Sequence, residues 1–352
     1  MIERKRSMKK RNLFLMIILI LYSLLVFSHG FFSKSEFHKK LSTKGFIAHF
    51  YSFPVLIGIV VSIFSAIVLL IFCFKYGTKF YKNRTAMIWV FMLFVSVVFI
   101  VSGTERRKTP MEISYISNEN VIKLVEWNVA NNIDEKNIYE IFGEFDADIA
   151  VFPELEGYEK GDFSNQRLKD LFERANLDFS KYEAYLSLPT EGNIAPVTVV
   201  IKKEFGQYDC KQEIPMTQFG TVSLHSKKEN IPDIIGLHTA PPLPGLMYFW
   251  KIDLDFIAYD LVKNNPNAII IGDFNATMRH GAMNDIDTHE DILNYAPVMK
   301  RGTWNKDIPD LFKTTIDHIL VPANQYSVKK VEIRDLENSD HMCIFAEIQK
   351  NK

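Results

Sequence analysis

Hydrophobic and polar positions follow two different rhythms along this chain. Near the N-terminus three segments carry no Asp, Glu, Lys or Arg: Leu13 to Phe32 is 20 residues, Tyr51 to Phe74 is 24 and Thr85 to Thr104 is 20. As helices rising about 1.5 Å per residue, each is long enough to cross about 30 Å of hydrocarbon. A soluble helix rarely stays apolar on every face for so long. The pattern therefore predicts three transmembrane helices, at about 13–32, 51–74 and 85–104. A secretory signal is the alternative for the first run, which follows Arg4, Lys5, Arg6, Lys9, Lys10 and Arg11; no small-x-small cleavage site clearly follows it.

Beyond residue 104 the apolar runs shorten and alternate with amphipathic stretches. Residues 105–117 read as a linker and 118–350 as one folded domain. Strands are expected at 121–129, 148–152, 182–188, 196–203, 220–226, 232–238, 268–272, 315–321 and 341–348. Helices are expected at 134–145, 165–175 and 246–263, the last with Leu246, Phe249, Trp250, Leu254, Ile257 and Leu261 at helical spacing. Many strands with a few interposed helices predict an α+β layered domain, two sheets inside and helices outside. No internal repeat or low-complexity stretch is visible.

Charge sharpens the division. The whole chain of 352 residues carries a net charge of −1, from 41 Lys and Arg against 42 Asp and Glu. Residues 1–103 hold 14 of those bases against Glu3 and Glu36 alone, a net of +12; the remainder keeps 27 bases and 40 acids, a net of −13. Two regions so different in composition are poor partners for one core. The N-terminus and the loop between the second and third runs hold 10 bases, against seven on the other side of the spans. The positive-inside bias then puts the N-terminus in the cytoplasm of a multi-pass protein of the cell membrane, with its C-terminal domain extracytoplasmic. Three cysteines exclude a disulfide scaffold or a Cys-rich zinc module. Cys343 shares strand parity with His341 and reads as a buried free thiol.

Polar residues gather where strands end. Asn128 ends the first strand, Glu154 the second and His238 another; after the apolar run 268–271, period-2 alternation puts Asp273 and Asn275 on one face and Phe274 on the other; Asp317 lies in TTIDHIL, and Asp340 with His341 opens the last strand. Taken alone, Gly-Asp-Phe-Asn is an ordinary strand-to-turn exit. Six such termini together point to a site, and their oxygen-rich side chains suit a hard cation, Mg²⁺ or Mn²⁺, better than zinc. His318 alternates away from Asp317 and reads as a packed residue. Trp304 reads as core, as does the aromatic run 247–250, whose other reading is contact with a lipid tail. His225, His280 and His289 receive no role.

The ordered set WN, PE, H, GDFN, IDH and SDH resembles the endonuclease/exonuclease/phosphatase superfamily, over about 230 residues from Val121 to near the C-terminus. The resemblance implies a four-layer α/β/β/α sandwich that cleaves phosphate esters with a divalent metal. It implies Glu154 as principal metal ligand, with Asn128 beside it and Asp340 sharing the metal or its waters. Asp273 would orient or deprotonate the attacking water, and Asn275 and His238 would contact phosphate. His341 would face the phosphoryl group, its tautomer fixed by Asp317. The segments PELE, HTAPPLP and GDFNAT, with the three spans, look like the membrane-anchored branch of the superfamily, which implies a lipid phosphate or prenyl pyrophosphate substrate. A net charge of −13, with Glu156 two residues beyond Glu154, disfavours nucleic acid as partner. An anchored nuclease or phosphodiesterase remains the enzyme alternative, and a catalytically inactive binding module the non-enzyme one.

Overall fold

The structure, a computed structural model, describes residues 2–104, 108, 121–190, 194–211, 216–229 and 231–351; the expected linker 105–117 lies outside these, Lys108 excepted. The chain divides into two compact units, residues 1–42 with 46–105 and residues 43–45 with 106–352.

The charge-free runs become helices. In chain order these are α1 (Ile2–Phe31), the short α2 (Glu36–Ser42) and α3 (Gly45–Ser52), α4 (Pro54–Tyr76) and α5 (Arg84–Gly103). Stretches of α1, α4 and α5 are long and apolar enough to cross a membrane. The second expected span began at Tyr51, but α4 starts at Pro54 and Tyr51 is buried in α3. Proline accounts for the break, since it lacks an N–H and is best tolerated in a first helical turn. Asn83 caps α5 by accepting from the backbone N–H of Thr85 at 2.9 Å. Tyr22, Val26, Met92, Val95 and Phe99 form the shared core, while Ile63, Ile71 and Phe74 point outward and exposed. At Gly58 a Cβ would lie 2.6 Å from Ile100 Cγ1, so α4 and α5 approach too closely for a larger residue.

In the second unit the strands are β1 (Val121–Glu126), β2 (Ile149–Phe152), β3 (Tyr182–Leu186), β4 (Thr198–Lys202), β5 (Tyr208–Cys210) and β6 (Gly220–Ser226). They continue with β7 (Ile234–His238), β8 (Ile269–Asp273), β9 (His289–Asp291), β10 (Asp317–Pro322), β11 (Tyr326–Arg334) and β12 (Cys343–Lys350). Two six-stranded mixed sheets result, ordered β11-β12-β1-β2-β4-β3 and β5-β6-β7-β8-β10-β9. Alternate residues of both sheets, among them Leu124, Val151, Val199, Val222, Ile269, Ile271, Ile319 and Ile344, meet in one core between them. The outer face of the first sheet packs Phe152 and Phe345 against α6 (Glu135–Ile138), its π-helical extension Tyr139–Glu144, and α7 (Gln166–Arg174). The outer face of the second sheet is covered by α8 (Met247–Phe256), which runs through a π turn at Ile257–Leu261 into α9 (Val262–Asn264). The architecture is the expected four-layer α+β sandwich.

Each sheet contains one parallel pair, β1 with β2 and β7 with β8. Each pair is joined by a helical crossover, through α6 or through α8 and α9. Parallel strands end on the same side, so the C-terminal ends of these pairs bring four separate chain exits to a common place.

Candidate active site

Asn128 and Glu154 follow β1 and β2, and His238 and Asp273 end β7 and β8. Strand register carries the alignment further: Asp273 pairs with His238 on one side and with Asp317 on the other. Gly272 permits that approach. Its φ is +153°, and a Cβ there would fall 1.9 Å from the Leu237 carbonyl oxygen. Glu154 and Asn275 leave their strands through the left-handed region, with φ of +59° and +47°. Such conformations cost about 1–3 kcal/mol in non-glycine residues and persist where the surroundings over-determine them.

The side chains converge. Asn128 donates from Nδ2 to Glu154 Oε1 at 3.1 Å and to Asp273 Oδ2 at 3.0 Å. His238 Nε2 lies 3.5 Å from Asp273 Oδ2 and 3.7 Å from Glu154 Oε1. Its Nδ1 is buried with no hydrogen-bond partner among the described residues. His341 Nδ1 is 3.0 Å from each oxygen of the fully buried Asp317, and its Nε2 is 3.9 Å from Asp273 Oδ2. Asp340 Oδ1 lies 4.0 Å from that same Nε2, and the Trp304 indole N–H donates to Asp340 Oδ2 at 2.8 Å. Glu154 and Asp340 are the two acids open to solvent, with side chains 36% and 49% exposed.

Asn275 departs from the expected alternation because β8 ends at Asp273. Its backbone N–H donates to Asp273 Oδ1 at 2.7 Å, and its Nδ2 donates to the Thr239 carbonyl at 3.0 Å. An amide has two N–H donors, so one is left for a ligand.

Burial sets the electrostatics. Burial, and then the charge of Asp317, push the Asp273 carboxyl up to about 6, against the pull of His341 and His238. Burial also disfavours a charged His341, yet the Asp317 carboxylate outweighs it, with Asp273 and Asp340 adding, and raises the ring to about 10. A proton acceptor near neutrality thus faces a charged imidazolium.

Several contributors receive no role from the sequence. Glu126, the last residue of β1, is fully buried with neither carboxyl oxygen partnered among the described residues. Burial, then Asp317 and Asp273, hold its carboxyl well above the ordinary range. Thr303 accepts at Oγ1 from the backbone N–H of Ile316 and Asp317, at 3.1 and 3.2 Å. Ser339 donates to the Asn128 carbonyl at 2.7 Å and accepts from the His341 N–H at 3.1 Å. The Trp127 indole N–H donates to the His341 carbonyl at 3.1 Å, tying the first strand to the last.

Other expectations are corrected or located. Glu156 does not face the site: it is buried, accepting from Asn131 Nδ2 at 2.8 Å and the Gly161 N–H at 3.2 Å, so its charge says nothing about substrate. Trp304 is only half-buried, at the rim beside Asp340 rather than in the core. Within the aromatic run Trp250 is buried, but Tyr248 and Phe249 are exposed. His318 packs inside, bound to Asp291 Oδ2 at 2.8 Å and the Ala276 carbonyl at 2.9 Å, and Cys343 is a buried free thiol.

Residues 125–341 match the profile of the Endonuclease/Exonuclease/phosphatase family. The chain belongs to this family. Similar solved structures include the endonuclease/exonuclease/phosphatase protein of Beutenbergia cavernae (14% identity, 66% of this chain and 72% of that one, TM-score 0.46). Another is an AP endonuclease from Leishmania major (14% identity, 70% and 93% coverage, TM-score 0.44). A third is the inositol polyphosphate 5-phosphatase domain of synaptojanin, in complex with inositol (1,4)-bisphosphate and a calcium ion (14% identity, 65% and 84% coverage, TM-score 0.43). No curated protein matches the chain.

Members of the endonuclease/exonuclease/phosphatase family are divalent-metal-dependent hydrolases of phosphoester bonds, and the donor set here fits such a group. Two clusters are available. Asp273, Asp317 and His341 bring one ligand atom each within 4.8 Å of one another. In that cluster, however, His341 Nδ1 is committed to Asp317. Glu154, reachable from solvent and braced by Asn128, is the better oxygen donor for a hard cation.

Proposed function

We propose that this protein is a membrane-anchored, metal-dependent phosphohydrolase that acts on a lipid phosphate or pyrophosphate at the outer face of the membrane. The observation that carries this reading is the Asp273–His341–Asp317 relay set beside Glu154 at the joined strand ends. Three candidate spans support the anchor, and the uneven basic flanks favour the outer face.

Glu154, with Asn128 and Asp340 near it, would hold Mg²⁺ or Mn²⁺. Bound there, the ion would supply positive charge to the phosphoryl oxygens and a more acidic water. Asp273 takes the proton of the attacking water, a role suited to a carboxylate raised to about 6. Charged His341 donates from Nε2 to a phosphoryl oxygen while Asp317 holds its Nδ1. His238 and the uncommitted N–H of Asn275 steady the remaining oxygens, so that donors preorganised in a buried site meet the developing charge.

Turnover by the full chain in liposomes tests the proposal, with phosphate release from a prenyl pyrophosphate and a phosphatidic acid compared with strand cleavage of duplex DNA at equal phosphate and Mg²⁺. Faster turnover of either lipid supports it. DNA cleavage outpacing both lipids would establish the nuclease reading in its place, and no turnover with no metal binding would leave an inactive module.

A further inference from the structure

Between His238 and Lys251 the chain reads TAPPLPGLMYFW, with no charged residue, inside a region carrying a net −13. That stretch leads from the site into α8, and α8 is apolar on two faces. One face, with Trp250, Leu254, Ile257 and Leu261 at helical spacing, is buried. It also braces the site: the Trp250 indole N–H donates to the Asn275 carbonyl at 3.1 Å, and Asp253 accepts from the Ala240 N–H at 2.8 Å. The other face should be polar if it met only water. Instead Tyr248, Phe249 and Ile252 are 70%, 40% and 44% exposed beside the ion-paired Lys251 and Asp255, and Leu243, in the segment leading into the helix, is 49% exposed. Contiguous exposed apolar side chains of this size mark an interaction surface.

Two observations select a lipid bilayer as its occupant. An acidic domain is repelled by an anionic membrane surface, and this face, where the charges of Lys251 and Asp255 offset one another in an ion pair, is where it can approach one at least cost. The chain also supplies its own tether: α5 ends at Gly103 and β1 begins at Val121, a covalent reach of at most about 60 Å from a candidate span. Aromatic side chains beside aliphatic ones suit the boundary between headgroups and acyl chains.

We propose that the exposed face formed by Leu243, Tyr248, Phe249 and Ile252 enters the headgroup–acyl boundary of the bilayer and so presents the site to lipid headgroups. The inference rests on the lipid-phosphate reading for its purpose, though not for its test. The full chain carrying Tyr248→Cys and Cys210→Ser is labelled with an environment-sensitive fluorophore, alongside Cys210→Ser alone as background and Tyr139→Cys with Cys210→Ser as a solvent-facing control. It is then reconstituted in phosphatidylcholine–phosphatidylglycerol liposomes with brominated acyl chains. The label at 248 is expected to be quenched by bromolipid and shielded from aqueous iodide, with the reverse at 139. Iodide quenching at 248 overturns the proposal, as does energy transfer between differently labelled copies without bromolipid quenching, which would mean that a second chain covers the face.

A triple variant, Tyr248→Ser with Phe249→Ser and Ile252→Ser, is expected to raise KM for a bilayer-embedded phosphatidic acid about tenfold. Its turnover of water-soluble p-nitrophenyl phosphate should be unchanged. Equal loss on both substrates would assign these side chains to folding and overturn the docking role. Bromolipid quenching at 248 in a protein that turns over no lipid phosphate would retire the substrate reading and leave the docking face standing.

Discussion

Replacing Asp317 with Asn keeps the shape of the relay and removes its charge. In the native protein both Asp317 oxygens lie 3.0 Å from His341 Nδ1, and the ring is raised to about 10 although burial works against it. Without the carboxylate only the opposing effect and weaker neighbours remain, so the ring should titrate at or below its ordinary value of about 6.5. A change of that size corresponds to about 5 kcal/mol, near the 3–5 kcal/mol typical of breaking a buried ion pair. At pH 8 the charged fraction of His341 should fall from about 99% to a few per cent. The sign for stability follows from the raised folded value. The pair's contribution is complete below about 6.5 and is lost as pH rises through about 10, so Asp317→Asn should cost most near pH 6 and progressively less toward pH 10. Full chain carrying ¹³C-labelled histidine can be titrated by NMR in nanodiscs, with His341 assigned through its loss in His341→Gln. A ring in Asp317→Asn that still titrates within about a unit of the native one would refute Asp317 as the source of the charge.

Three further changes probe the supports of the site. Glu126→Gln removes a carboxyl whose folded pKa is raised, a penalty that grows as pH rises above about 4.5; it should therefore add about 1–3 kcal/mol at pH 8 and little at pH 4, and thermal melts showing destabilisation at both would contradict this. Gly272→Ala puts a methyl into the Leu237 carbonyl at a φ of +153° and should lower stability by at least about 3 kcal/mol, read as a shifted denaturation midpoint at constant slope. Thr303→Val leaves the Ile316 and Asp317 amides without their acceptor; a loss of about 1–3 kcal/mol is expected, together with a lowered His341 pKa, and an unmoved titration would show that Asp317 does not depend on this threonine.

How much of this was legible in the sequence depended on how local its cause was. The spans, the layered fold and the six strand termini rest on short-range patterns, and Asn128, Glu154, His238, Asp273, Asp317 and His341 do meet. Strands β5, β9 and β11 were missed for different reasons. The first two are three residues long, and β11 has a polar face with Lys329 and Lys330 and a register shift beside them, as edge strands often do. Glu126 looked like an ordinary strand residue because only the fold buries it beneath Asp317 and Asp273. Glu156 misled in the opposite direction: its charge two residues from Glu154 was read as disfavouring nucleic acid, but the side chain is buried against Asn131 and the Gly161 N–H. Asn275 misled too, since alternation holds only while the strand lasts.

The central claim, that Glu154 anchors a metal-dependent phosphohydrolase site, is tested most directly by titrating Mn²⁺ into the native chain and Glu154→Gln while following phosphate release from a prenyl pyrophosphate. The native protein should bind the ion and release phosphate in proportion to occupancy. In Glu154→Gln the affinity should fall about a hundredfold or more, and turnover with it, while the fold melts as before. Native-like Mn²⁺ binding and turnover in that variant would contradict the account.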